Sequence, residues 1–132
     1  GGGADVVATI EEVKLGANCM PVVGPDPLGG SVAVRYTNFG GSPGSLGLEN
    51  ANVLFVNGTE GWLYGFELSP DTSGVIDPGA SVVFEHQKFA SPGDSSFLCQ
   101  LCGQKCELEV SFSDDAGRVQ RVSQGFELGC VY

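Results

Sequence analysis

Basic residues are scarce: six lysines and arginines stand against sixteen acidic residues in a chain of 132, a net charge of −10. Such a surface repels a phosphate backbone and anionic lipid alike, so nucleic acid and charged membrane surfaces are disfavoured as partners. Histidine occurs once, which rules out a blue-copper ligand set, since that needs two imidazoles. Long apolar runs are absent. Nothing approaches the roughly 20 residues of a membrane-spanning helix, so membrane insertion is not expected. No window sustains a 3.6-residue hydrophobic period, which argues against long helices. A D-x-D-x-D-G loop is also missing, so Asp114 and Asp115 do not read as a calcium site.

Glycine, by contrast, is abundant at 21 residues, and apolar residues make up 42% of the chain. Apolar alternation broken by Gly, Pro, Asn and Asp clusters predicts an all-β domain of about seven short strands. The length suits one domain. Residues 1 to 4 of the opening "GGGAD" read as a flexible leader: a tag remnant, or the tether of a processed or lipid-anchored N-terminus. Residues 5 to 132 form the domain.

The first strand, "DVVATIEEVKL", carries Val6, Ala8 and Ile10 on one face and then changes parity at Val13 and Leu15. A bulge or a change of sheet near Glu11 and Glu12 accounts for that shift. In "LENANVLFVNG" both parities become apolar, as in a strand covered on both faces. "WLYGFELS" alternates cleanly and reads as a core strand. "CELEVSFS" places Cys106, Leu108, Val110 and Phe112 inward, with Glu107, Glu109, Ser111 and Ser113 outward.

Seven strands with turns at this spacing predict an immunoglobulin-like two-sheet sandwich, with a jelly roll or small barrel as the alternative. Two stretches favour the first. "VAVRYTNFGGSPGSL" resembles the pattern xVxVxNxGxxPAxL of bacterial extracellular Ig-like modules of the CARDB type, and "IDPGASVVFEH" resembles their LxPGxSxxxxF turn and strand. The resemblance implies a fold and a cell-surface setting, not an activity. Five cysteines depart from such cysteine-poor modules.

In Ig order the first strand runs beside the last, parallel to it, which gathers Cys19, Cys99, Cys102, Cys106 and Cys130 at one pole. A three-residue loop Asp115-Ala116-Gly117, with Gly117 left-handed, pairs Asp114 with Arg118. Val110 then faces Val122, Cys106 faces Phe126, and a continued ladder sets Cys102 against Cys130. Three readings of the cysteines follow. The first is disulfides Cys102–Cys130 and Cys19–Cys99, with Cys106 a buried free thiol, as suits a Gly-rich domain in an oxidising compartment. The second is a zinc site drawn from Cys99, Cys102, Cys106, Cys130 and His86, completed where needed by Cys19; the missing second CxxC weakens it. The third is a redox CxxC, which lacks the helix that lowers a reactive thiol's pKa.

Other constellations are weak. "GGSPG" matches a nucleophile motif in form only, because Ser42 sits in a Gly/Pro loop without strand, helix or base. His86 shares a face with Val82 and Phe84 and reads as a core-edge histidine. Glu107 and Glu109 point outward from one strand, as a solvated face. Trp62, Tyr64 and Phe66 form either core or an aromatic platform for sugars, with Trp62 and Tyr64 as the binding residues. "NGT" at Asn57 is a glycosylation pattern. These features lead to a non-enzymatic, disulfide-stabilised module, secreted or at the cell surface or in the periplasm, with a structural or adhesive role. In a specific version Asp5 to Leu15 pairs with a neighbouring subunit's sheet in a surface filament. The contrasting expectations are a small zinc or redox protein and a carbohydrate-binding module.

Overall fold

A computed structural model describes residues 3–20, 24–57, 60–90 and 96–131, without the side chains of residues 56, 57, 60, 62 and 90. The strands are β1 (Val6–Asn18), β2 (Leu28–Asn38), β3 (Gly47–Asn57), β4 (Glu60–Ser69), β5 (Ser81–Ala90), β6 (Lys105–Ser113), β7 (Val119–Glu127) and β8 (Gly129–Val131). A short 3-10 turn covers Ser96–Gln100. The protein is all-β. Gly1 and Gly2 of the leader, and Gly58 and Thr59 of the glycosylation pattern, lie outside the described residues.

The strands form one continuous sheet in the order β7-β6-β3-β4-β5-β2-β1-β8. Its two ends, β7 and β8, follow one another in the chain, so the sheet curls back on itself as a nearly closed barrel. The expected division into two sheets does not occur, and the reason lies in β4. That strand pairs with β3 from Asn57↔Glu60 to Ala51↔Phe66, then moves across to β5 at Glu67↔Ala90. It therefore joins the halves that a sandwich would keep apart, which fits the small-barrel alternative better. The count is eight rather than seven because the last strand divides at Leu128. Before it the chain pairs with β6; after it β8 runs parallel to β1, with Ala17 opposite Cys130.

Along the seam, Gln120 of β7 substitutes for a backbone ladder. Its Oε1 accepts from Ala8 N at 2.9 Å and its Nε2 donates to the Val6 carbonyl at 3.0 Å. β1 thus has β2 on one side and β7 and β8 on the other. The parity change within it is a bulge between Ile10 and Glu12, which returns Leu15 to the interior.

One apolar interior fills the barrel, with Val32, Val34, Leu108, Val110 and Phe112 fully enclosed. The β6–β7 register is the one the apolar parity demands: Val110 faces Val122, Cys106 faces Phe126, and Gly117 closes the turn at φ 80°. The expectation that β3 is covered on both faces is corrected. Val53 and Phe55 point inward, whereas Leu54 is half-buried on the outer face opposite the exposed Leu63, since a barrel has no second layer outside it.

At the pole where β1 begins, the two stretches that carry the family resemblance come together around Asn38. Its side chain is fully buried. Oδ1 accepts from Asp5 N (3.1 Å) and Gly40 N (2.9 Å), and Nδ2 donates to the carbonyls of Ser42 (2.8 Å) and Ile76 (2.9 Å). Its backbone binds Ala80 and Gly79. Gly40 is glycine for contact: a Cβ there would lie 2.1 Å from the Gly3 carbonyl oxygen.

Candidate functional site

The opposite pole is built by the cysteines. Cys19 directly follows β1, and its N–H donates to the Val131 carbonyl at 3.0 Å. Cys99 sits in the 3-10 turn, anchored by the buried Leu98, and Cys102 follows that turn. The β6–β7 ladder continues past its last strand pair, with Leu128 N donating to the Gln104 carbonyl at 3.0 Å and Gly103 N to the Leu128 carbonyl at 2.8 Å. That continuation brings Cys102 to Cys130. Two disulfides form, Cys19–Cys99 and Cys102–Cys130, with Cα separations of 5.9 and 5.6 Å. Cys106 is the free, buried thiol. Burial pushes its pKa up to about 11, away from the thiolate a nucleophile or metal ligand needs.

The zinc set proposed from sequence is not brought together. Cys99, Cys102 and Cys130 are consumed in disulfides, whose sulfurs are not the thiolates that zinc takes. Cys106 faces the interior, and both ring nitrogens of His86 are committed elsewhere. The sulfurs that do converge, all within 4.8 Å of one another, are those of Cys19, Cys102 and Cys130. The redox reading fails on connectivity, because Cys99 and Cys102 bond to different partners rather than to each other.

His86 is fully buried, as its face on β5 suggests. Its Nδ1 lies 2.7 Å from the Pro70 carbonyl, which can only accept, so Nδ1 carries the proton. Nε2 then accepts from the Tyr36 hydroxyl at 2.6 Å. Burial lowers the His86 pKa and raises that of Tyr36. A lowered folded-state pKa means that the unfolded chain takes up a proton first as pH falls below about 6.5. Stability from this neutral histidine is complete above that pH and declines toward the folded-state value. The urea midpoint should therefore be lower at pH 5 than at pH 7, and the difference should shrink in His86→Gln, whose amide cannot titrate. An equal fall in both proteins would assign the effect to other groups.

Tyr64 is not a surface residue, which corrects its assignment to a sugar platform. It is buried, stacked on Phe66 at a centroid distance of 5.9 Å, and its hydroxyl donates to Asp26 Oδ1 at 2.9 Å. Asp26 also pairs with the largely buried Lys88. The side chain of Trp62 lies outside the described residues. Ser42 is a loop residue, as expected, and offers its carbonyl to Asn38.

A cleft of about 570 Å³ opens where β4 leaves β3. Its lining mixes polar and apolar groups: Phe66, Leu68 and Val110 are buried beneath it, and Leu48, Pro70 and Phe89 are its accessible apolar residues. Two β-bulges aim residues at it. In the β3–β6 ladder the register steps from Leu48 to Asn50, leaving Glu49 as the extra residue; in the β4–β5 ladder it steps from Ala90 to Lys88, leaving Phe89. Both line the cleft, with Glu67 and Asp71. Phe89 is 70% exposed. The Pro70 carbonyl that His86 holds belongs to the same wall. In sequence each bulge leaves only a parity change, from Leu48 to Ala51 and from His86 to Phe89, and nothing in either change shows that the two bulges meet at one cleft.

No family model and no curated protein matches the chain. Among solved structures it is similar to a DUF4466 family protein from Parabacteroides merdae, at 11% identity and a TM-score of 0.33. That alignment covers 96% of this chain and 45% of the other, so the chain spans under half the length of that protein.

Proposed function

We propose that this chain is a non-catalytic extracellular or cell-envelope module with a structural or adhesive role, working through its outer surface. The carrying observation is the pair of disulfides that staple one pole. Such bonds persist in oxidising compartments, and small exported domains use them to supplement a limited core. Among the described residues no helix is long and apolar enough to cross a membrane. A filament in which β1 leaves its own barrel to join a neighbour's sheet is the costlier form of this role, because the donated β1 would give up a ladder with β2 that runs from Val6↔Asn38 to Ala17↔Leu28. Contact through the barrel's outer face leaves that ladder intact.

Thiol tagging in the cells that make the protein tests the reading. With acid quenching and a mass-shifting maleimide, one tag per chain is expected, on Cys106. Five tags would place the chain in a reducing compartment and overturn the proposal.

A further inference from the structure

The cleft between β3 and β4 combines features that a purely structural seam does not need. Both bulged residues, Glu49 and Phe89, are delivered to it, and bulges are a recurrent device for re-aiming side chains at functional sites. Glu67 and Asp71 line it, and their carboxylates make no hydrogen bond or ion pair among the described residues, while Glu49 accepts from Ser113. Among the described residues no lysine, arginine or histidine lines it.

Ionised carboxylates only accept hydrogen bonds, so an occupant must bring donors and positive charge. A single metal ion is a poor fit, since the three carboxylates do not bring their oxygens within 4.8 Å of one another. A neutral sugar is also a poor fit, because it would desolvate three anions without compensating their charge. A planar cation on an apolar stem satisfies every wall. Its stem lies along the accessible Leu48 and Pro70, its fork of N–H donors reaches separated carboxylates, and its face meets the exposed Phe89 ring.

We propose that this cleft receives an arginine side chain from a basic segment of a partner protein. The inference rests on the extracellular binding role above and names the partner's chemistry. The His86–Pro70 hydrogen bond then positions one wall of the cleft from within.

The test is an NMR titration of the oxidised full chain with a blocked Gly-Arg-Gly-Arg-Gly peptide and its citrulline counterpart. Shifts should be confined to residues 48–51, 66–71 and 88–90 and should weaken as salt rises. The double variant Glu67→Gln, Asp71→Asn should lose about tenfold in affinity, the scale of a charge-assisted pair. Phe89→Ala should also bind more weakly. All three positions are exposed, so the fold should survive these changes. Equal binding of the citrulline peptide, shifts scattered over the acidic surface, or no shifts at all would overturn the proposal. Shifts at these amides from a mixed neutral oligosaccharide, with none from the arginine peptide, would make this a sugar site instead. None of these results alters the thiol count, so the compartment reading stands or falls separately.

Discussion

Asn38→Ala should lose about 3–5 kcal/mol of stability, on the basis that each orphaned buried polar partner costs about 1–3 kcal/mol and neighbouring losses overlap. The substitution strands three backbone groups at once, Asp5 N, Gly40 N and the carbonyl of Ser42, and takes from the Ile76 carbonyl one of its two donors, leaving it Gly44 N. They belong to the start of β1, the loop after β2 and the turn before β5, so one side chain ties three segments into the pole. For a domain whose total stability is of order 5–15 kcal/mol, that is a large fraction. The thermal midpoint should fall by about 10–20 °C, given a few degrees per kcal/mol at this size. Asn38→Asp should fare no better. It keeps the acceptors but sets a carboxylate against two carbonyls in a buried site. Asn18→Ala is the control: its side chain accepts one exposed bond from Met20 N, and it should change stability by less than about 0.5 kcal/mol. A midpoint for Asn38→Ala within a degree or two of the parent would show that the latch is not what holds this pole.

Reduction of the disulfides should have the larger effect. The loops they close span 80 and 28 residues, and they do not overlap, since the first ends at Cys99 and the second begins at Cys102. In the chain-entropy account the long loop contributes about 4.5 kcal/mol and the short one about 3.6 kcal/mol, and separate loops add. Their sum rivals the whole stability of a domain this size. All four cysteines are only half-buried, so a phosphine reductant has access. The reduced protein should be largely unfolded at 37 °C, and the oxidised protein folded. Between paired serine variants, Cys19→Ser with Cys99→Ser should cost more than Cys102→Ser with Cys130→Ser. Equal melting of fully reduced and oxidised protein would refute the staple, and loss of structure on chelation instead would restore the metal reading.

Much of the cysteine pole was legible in the sequence. Apolar parity in "CELEVSFS" and at Val122 and Phe126 sets the β6–β7 register, and the ladder carries Cys102 to Cys130. The parity break in β1 likewise marks its bulge. Barrel closure was not legible. It depends on β4 changing partners at Glu67 and on a single glutamine bridging the seam, neither of which leaves a periodic trace. Asn38 stood in the quoted resemblance pattern, yet its four partners lie as far as 38 residues away, beyond any local reading. Tyr64 shows the limit of alternation on its own. Strand spacing identifies which residues share a face, and only the closed sheet says that this face is inside.

The central claim is a self-closing barrel latched at one pole by Asn38 and stapled at the other by two adjacent disulfides. The most direct measurement is a non-reducing peptide map of the acid-quenched, tagged protein. It should yield two linked pairs, Cys19 with Cys99 and Cys102 with Cys130, and the tag on Cys106 alone. A Cys99–Cys102 pair, or a linked peptide containing Cys106, would contradict both the register and the pole built on it.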